Sequence, residues 1–139
     1  MFVVIRISGM VDVPNDVAAT LDHLRLRRKY AAILLPENID SVKVLHRVRS
    51  FVAFGTVSDA VLAKLISLRG QSIKPGAKLD AKTIIAGLDK KTLHELGVKP
   101  FFRLHPPRGG IESKKHFGIG KGILGDNKEH ISRLLERML

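Results

Sequence analysis

Three short apolar, β-branched runs, each followed by a segment with helical apolar spacing, govern what the first seventy residues can become. Phe2-Val3-Val4-Ile5-Arg6-Ile7 reads as a strand and is stopped by Ser8-Gly9. The acids and proline of Asp12 to Asp16 mark a helix start, after which Val17, Leu21, Leu24 and Ala18 share a stripe. Tyr30 to Leu35 reads as a second strand, ended by Pro36. Asn38 suits the cap of a second helix that turns Ile39, Val42, Leu45 and Val48 inward. Phe51 to Phe54 reads as a third strand closed by Gly55. Ser58 then caps a third helix with Val61, Leu62, Leu65, Ile66 and Leu68 apolar and Gly70 just past its end. This β-α-β-α-β-α order predicts a small α+β sandwich with helices on one face of the sheet.

The texture changes after Gln71. Ile73 to Gly76 reads as a linker, which suggests a core over residues 1–72 and an extension over residues 73–139. Two short helices are expected in the extension, at Ala81 to Ala86 and Lys90 to Leu96, ended by Gly87 and Gly97. The apolar piece Phe101 to Leu104 follows them. At the C-terminal end, Asp126 with Glu129 has capping-box spacing, and Ile131, Leu134, Leu135 and Met138 form a stripe that must dock, most simply on the N-terminal core. No internal repeat longer than the βα alternation is visible. Between these pieces lies HPPRGGIESKKHFGIGKGILGD, from His105 to Asp126. Ordering roughly twenty residues costs on the order of 20–40 kcal/mol. Full burial of Ile111, Phe117, Ile119, Ile123 and Leu124 returns roughly 7–15 kcal/mol. The stretch is therefore expected to be disordered unless something outside the chain orders it.

Charge points to the class of partner. Against 24 Lys and Arg stand 13 Asp and Glu, a net charge of +11. That excess favours nucleic acid first and an anionic membrane surface second. The membrane reading weakens because no apolar run reaches the roughly 18 residues needed to span. MFVVIRISG is too short for a signal peptide, so the cytoplasm is the expected compartment. With no Cys there is neither a disulfide framework nor a thiolate metal site.

The catalytic motifs fail on inspection. Gly120-Lys121-Gly122-Ile123-Leu124-Gly125 spells G-x-G-x-x-G, yet a dinucleotide site needs a βαβ unit around it, and only fourteen residues follow Gly125. A phosphate loop needs Ser or Thr after Lys121 and a glycine where Lys115 stands. His23, His46, His94, His105, His116 and His130 are scattered without metal-ligand spacing. No nucleophile motif is present. The residues support no enzyme and no cofactor.

The cations are better organised. Arg25, Arg27, Arg28 and Lys29 form the densest run, Arg47 and Arg49 with Lys43 belong to the next helix, and Arg108, Lys114, Lys115, His116 and Lys121 populate the Gly- and Pro-rich stretch. Glu112 is the only acid between His105 and Asp126. Taken alone, the first run is more economically a solvated helix end; cations on several elements fit the footprint of a nucleic-acid binder. The two short helices of the extension are too small for DNA base reading, whereas a basic extended segment suits a folded RNA that orders it.

These residues resemble the archaeal large-subunit ribosomal proteins of the universal L thirty family, whose eukaryotic relative is called L seven. VVIRISG, LRLRRKY at Leu24 to Tyr30 and FVAFG at Phe51 to Gly55 carry the resemblance in the core. RGG at Arg108 to Gly110, KKHF at Lys114 to Phe117 and GDNKEHISRLLERM at Gly125 to Met138 carry it in the extension. Phe54 stands where the family often has Trp, and residues 71–102 match less tightly. The resemblance implies a ferredoxin-like β-α-β-α-β core with a three-stranded antiparallel sheet plus a C-terminal helical and extended subdomain. It also implies a structural, non-enzymatic role in the large ribosomal subunit. The partners would be large-subunit ribosomal RNA near the 5S RNA region and neighbouring proteins, with no membrane and no small-molecule substrate. Arg25, Arg27, Arg28, Lys29, Arg47, Arg49, Arg108, Lys114, Lys115, His116 and Lys121 are the expected RNA-binding residues, touching phosphate rather than reading bases. An extraribosomal RNA-binding or RNA-processing module is the alternative, and an enzyme on a ferredoxin-like core comes a distant third.

Overall fold

The computed structural model describes residues 2–9, 13–74, 76, 80–88, 90–108, 110, 112–116, 118 and 122–139, with residues 112–115 described by their backbone. Its elements are β1 (Phe2–Arg6), α1 (Asn15–His23), β2 (Ala31–Leu35), α2 (Ile39–Val48), β3 (Val52–Thr56), α3 (Asp59–Arg69), α4 (Ala81–Gly87), β4 (Phe102–Arg103), β5 (Glu112–His116), β6 (Gly122–Asp126), a 3₁₀ turn (Lys128–His130) and α5 (Ile131–Met138). The expected β-α-β-α-β core is present. β1 lies between β2 and β3, antiparallel to both, with Val4 opposite Ile33 on one side and Phe54 on the other.

The sheet is wider than expected. β4 adds to β2 in antiparallel sense, β6 adds to β3 in parallel sense, and β5 lies beyond β6 in an irregular register, giving the order β4-β2-β1-β3-β6-β5. Among the described residues six strands replace three, because residues beyond 72 supply half of them. Helices also cover both faces rather than one. Val4, Ile33, Val52 and Phe54 pack with Val17 and Leu21 of α1 and Leu45 and Val48 of α2. Val3, Ile5, Ala32 and Ala53 pack with α3, Ile84 of α4, Phe102 and the α5 stripe. A sheet buried on both faces has unbroken apolar strands, which is why Val3, Val4 and Ile5 are all apolar and all buried. The Phe54 ring is buried and meets that of Phe2 edge-on, with ring centres 6.4 Å apart.

Part of the tail is ordered by the protein itself. In β6, Ile123 and Leu124 are buried against the core. The His105 and Arg108 amides donate to the carbonyls of Met138 and Arg137 at 2.8 and 3.1 Å. The expectation of a stretch without order of its own counted side-chain burial and left out backbone pairing on a strand edge that β3 leaves open. Slow amide exchange across Gly122 to Asp126 in the free protein is therefore expected, and exchange there as fast as in an unfolded peptide would contradict the β3–β6 pairing.

Asn127 ties this corner together. Its side-chain Nδ2 donates to the Ile123 carbonyl at 2.6 Å and the Gly125 carbonyl at 3.1 Å, and its own amide donates to Phe54 at 2.8 Å. It is 2% exposed, so truncation strands buried carbonyls. Asn127→Ala is expected to cost about 1–3 kcal/mol, read as a lowered urea midpoint at unchanged slope.

α5 docks on the core as the stripe requires, with Ile131, Leu134, Leu135 and Met138 all buried. The approach is possible because Gly55 has no side chain. A Cβ there would meet the Lys128 carbonyl oxygen well inside contact distance and would lie 2.8 Å from Ile131 Cβ and Cγ2.

Several finer expectations are corrected. Ala18, Ile39 (74% exposed), Val42 and Leu68 (65% exposed) face outward, since each helix needs only two to four positions to cover so narrow a sheet face. Asn38 does cap α2, accepting from the Ser41 amide at 2.8 Å, and Ser58 occupies the N-cap position of α3 without a side-chain hydrogen bond. Gly70 is extended (φ −64°, ψ 138°) rather than left-handed, whereas Gly97 is left-handed at φ 81°. Residues 90–96 make turns and no helix. Asp126 accepts from the Lys128 amide at 2.9 Å, which starts the 3₁₀ turn in place of a capping box. The expected start at Asp12, Pro75 of the linker, and Gly120 and Lys121 of the glycine motif lie outside the described residues.

Candidate nucleic-acid interface

The basic residues gather at one end of the sheet. β1 finishes there and β2 and β3 begin there, since Ile5 pairs Ala32 and Arg6 pairs Val52. β4 ends at the same place, with Arg103 opposite Ala31. The link from α1 to β2 and the C-terminal end of α2 therefore deliver Arg25, Arg27, Arg28, Lys29, Arg47 and Arg49 to one region, and these six are exposed.

The link between α1 and β2 is shaped by a residue the sequence reading passed over. Arg6 sits mid-run in an apolar strand and is 4% exposed. Its guanidinium donates to the Leu26 carbonyl at 2.6 Å and to the Ser8 and Gly9 carbonyls, each at 3.0 Å. Its own carbonyl accepts from the Tyr30 amide at 2.7 Å. Burial lowers its pKa from the ordinary arginine value, and arginine stays charged regardless. Leu26 is fully buried and anchors the loop, so Arg25, Arg27 and Arg28 are turned out around it. Arg25 and Tyr30 both take φ of 64°, a conformation that side chains other than glycine adopt only where the surroundings impose it.

Arg25, Arg27, Arg28, Ala31, Phe101 and Arg103 line a cleft of about 250 Å³. Arg103 was missed because it sits in an apolar tetrapeptide; its guanidinium lies 5.8 Å from the centre of the Phe101 ring. Arg27 Nε contacts Asp22 Oδ1 at 2.8 Å with both side chains largely exposed. Such a pair is worth about 0–1 kcal/mol, so it yields easily to a phosphate. Lys29 Nζ lies 5.1 Å from the centre of the Tyr30 ring.

Arg108 belongs to a different group. It lines a second cleft of about 560 Å³ with Lys64, Leu68, Arg69, Glu136 and Leu139. Arg137 fixes this segment by donating from Nε to the Arg108 carbonyl at 2.7 Å and from Nη2 to the Gly110 carbonyl. Lys64 and Glu136 pair across the cleft at 3.5 Å. Lys64 and Arg69 are further cations the sequence reading missed; only the packing of α3 beside α5 brings them near Arg108. His116 is exposed, and a Cβ placed on Gly125 would lie 3.6 Å from its Nδ1 and 4.0 Å from the Arg49 carbonyl oxygen. The side chains of Lys114 and Lys115, and Lys121 altogether, lie outside the described residues. Among the described residues no cluster of His, Asp and Glu has the form of a metal site, and no helix is long and apolar enough to cross a membrane.

The chain is similar to known proteins along its whole length. The family described as Ribosomal protein L30p/L7e matches residues 2–52. The protein named large ribosomal subunit protein uL30 from Aeropyrum pernix is 36% identical, spanning 100% of this chain and 99% of its own. Its namesake in Desulfurococcus amylolyticus is 37% identical over 100% of this chain and 98% of its own, and that in Archaeoglobus fulgidus is 36% identical over 99% of each. With archaeal similarity running through both the core and the C-terminal extension, the chain belongs to the uL30 family of large ribosomal subunit proteins.

Proposed function

We propose that this protein is a structural, non-enzymatic constituent of the large ribosomal subunit that binds and packs large-subunit ribosomal RNA, in the cytoplasm where ribosomes work. The observation that carries the reading is the gathering of arginines from a loop, a helix end and an edge strand at one end of the sheet, with one exposed acid, Asp22, paired among them. Arg25, Arg27, Arg28, Lys29, Arg47, Arg49, Arg108, Lys114, Lys115, His116 and Lys121 touch phosphate in this proposal, and Arg103, Arg69 and Lys64 join them. The site on the subunit lies near the 5S RNA region, beside neighbouring large-subunit proteins, with residues 73–139 acting as the extension that reaches them.

The direct test is stoichiometry. The protein is expected at one copy per large subunit after a moderate salt wash; sedimentation free of intact subunits would overturn the reading in favour of an extraribosomal RNA-binding role. The charge mechanism has its own measurement. If about eight cations meet phosphates, log affinity for a large-subunit RNA fragment falls with log salt at a slope of roughly −6 to −7. A slope near zero would show that phosphate neutralisation is not how it binds.

A further inference from the structure

We propose that the cleft lined by Arg25, Arg27, Arg28, Ala31, Phe101 and Arg103 seats a single unstacked nucleotide of the RNA, its base against the Phe101 ring and its phosphates among the guanidinium groups. This rests on the RNA-binding reading above and sharpens it, from neutralising a backbone to receiving one extruded residue.

Four observations converge. The first is size. At about 250 Å³ the cleft is slightly smaller than the pockets that enclose drug-sized ligands, about 300–1,000 Å³, which suits one base and not a stacked pair. The second is chemistry. Sites that only neutralise phosphate need no aromatic wall, whereas unstacked bases are held by aromatic side chains and guanidinium planes. Phe101 is half-buried, with Arg103 5.8 Å from its centre, so the cleft already pairs a ring with a guanidinium. The third is depth. Ala31 is buried and stands opposite Arg103 in the β2–β4 pair, and its small side chain keeps the space between the arginines open. The fourth is preorganisation. The loop carrying Arg25, Arg27 and Arg28 is pinned by Arg6 through the Leu26 carbonyl and by buried Leu26, so little ordering remains to be done on binding. A paired A-form helix offers this concave cleft phosphates and hydroxyls but no free base face to lie against the ring, because its bases are stacked inside. A bulge or loop offers both parts.

The test uses the full-length protein and three RNA hairpins: one fully paired, one with a single unpaired nucleotide, and one with an abasic residue at the bulge. Binding to the bulged hairpin is expected to exceed that to the other two by about tenfold, the scale of one base stacked on an aromatic ring. A 2-aminopurine at the bulge is expected to lose fluorescence on binding, and Phe101→Leu is expected to abolish both the preference and the quench in protein that still melts cooperatively. The bulge and abasic comparisons on the unaltered protein hold even if that variant fails to fold. Equal affinity for all three hairpins, at normal overall affinity, overturns the proposal and leaves RNA binding intact. Failure to bind any hairpin at low salt overturns the RNA reading as well. Displacement of the paired hairpin by a glutamate decapeptide, with no response to the bulge, would reassign the cleft to an acidic protein segment.

Discussion

Gly55→Ala is expected to dislodge the last turn and helix of this protein. The added methyl group would stand inside contact distance of the Lys128 carbonyl oxygen and 2.8 Å from two carbons of Ile131. Neither neighbour gives way easily, since one is backbone and the other is a fully buried side chain. Overpacking of this kind costs about 1–3 kcal/mol where the surroundings can shift. Where they cannot, α5 must leave, forfeiting burial of Ile131, Leu134, Leu135 and Met138 at roughly 1.5–3 kcal/mol each. That loss is comparable to the whole stability of a typical domain, about 5–15 kcal/mol. Chemical denaturation and amide exchange over residues 131–138 distinguish a shift from an undocking. A stability within about 0.5 kcal/mol of the unaltered protein, the range of an ordinary surface substitution, would show that the close approach is not as drawn.

Arg6→Met is the second large effect, and it links stability to binding. Among the described residues the side chain makes three hydrogen bonds to carbonyls, all in the loops at the basic end. Hydrogen bonds to charged groups contribute about 1.5–3 kcal/mol each. Part of that is offset, because methionine does not have to be desolvated, and a net loss of about 3 kcal/mol is expected. RNA affinity should fall as well, although Arg6 is too buried to meet a phosphate, because Arg25, Arg27 and Arg28 hang on the loop it fixes. Arg28→Gln is the contrasting substitution. It should leave the denaturation midpoint alone and reduce the salt slope by about one. Full RNA affinity in Arg6→Met protein would show that the loop holds its shape without the guanidinium.

The first three strands and the N-terminal helices were legible because apolar patterning reports burial directly. Unbroken Val3-Val4-Ile5 even carried the information that both faces of the sheet are covered, although helices were expected on one. Ile39 and Leu68 misled because an apolar residue on a helix need not find a partner. The fate of His105 to Asp126 was hidden for a different reason: whether β6 forms depends on a vacant edge seventy residues earlier, a non-local fact that no window of sequence holds. The candidate site divided in the same way. Arg25 to Lys29 announced themselves as a run, but Arg103, Arg69 and Lys64 acquire meaning only through β2–β4 pairing and the packing of α3 beside α5. Arg6 was visible all along as a cation inside an apolar strand, which is itself the signal of a buried, hydrogen-bonded charge.

The parallel pairing of β3 with β6 also sets a timetable. A strand whose neighbour lies some seventy residues downstream stays unpaired on that side for most of synthesis, with apolar side chains on both faces and its edge amides open to any passing strand. The nascent chain therefore remains sticky along this edge until residues 122–126 have emerged to pair with β3. A cell that makes this protein in quantity has reason to shield β3 during that interval.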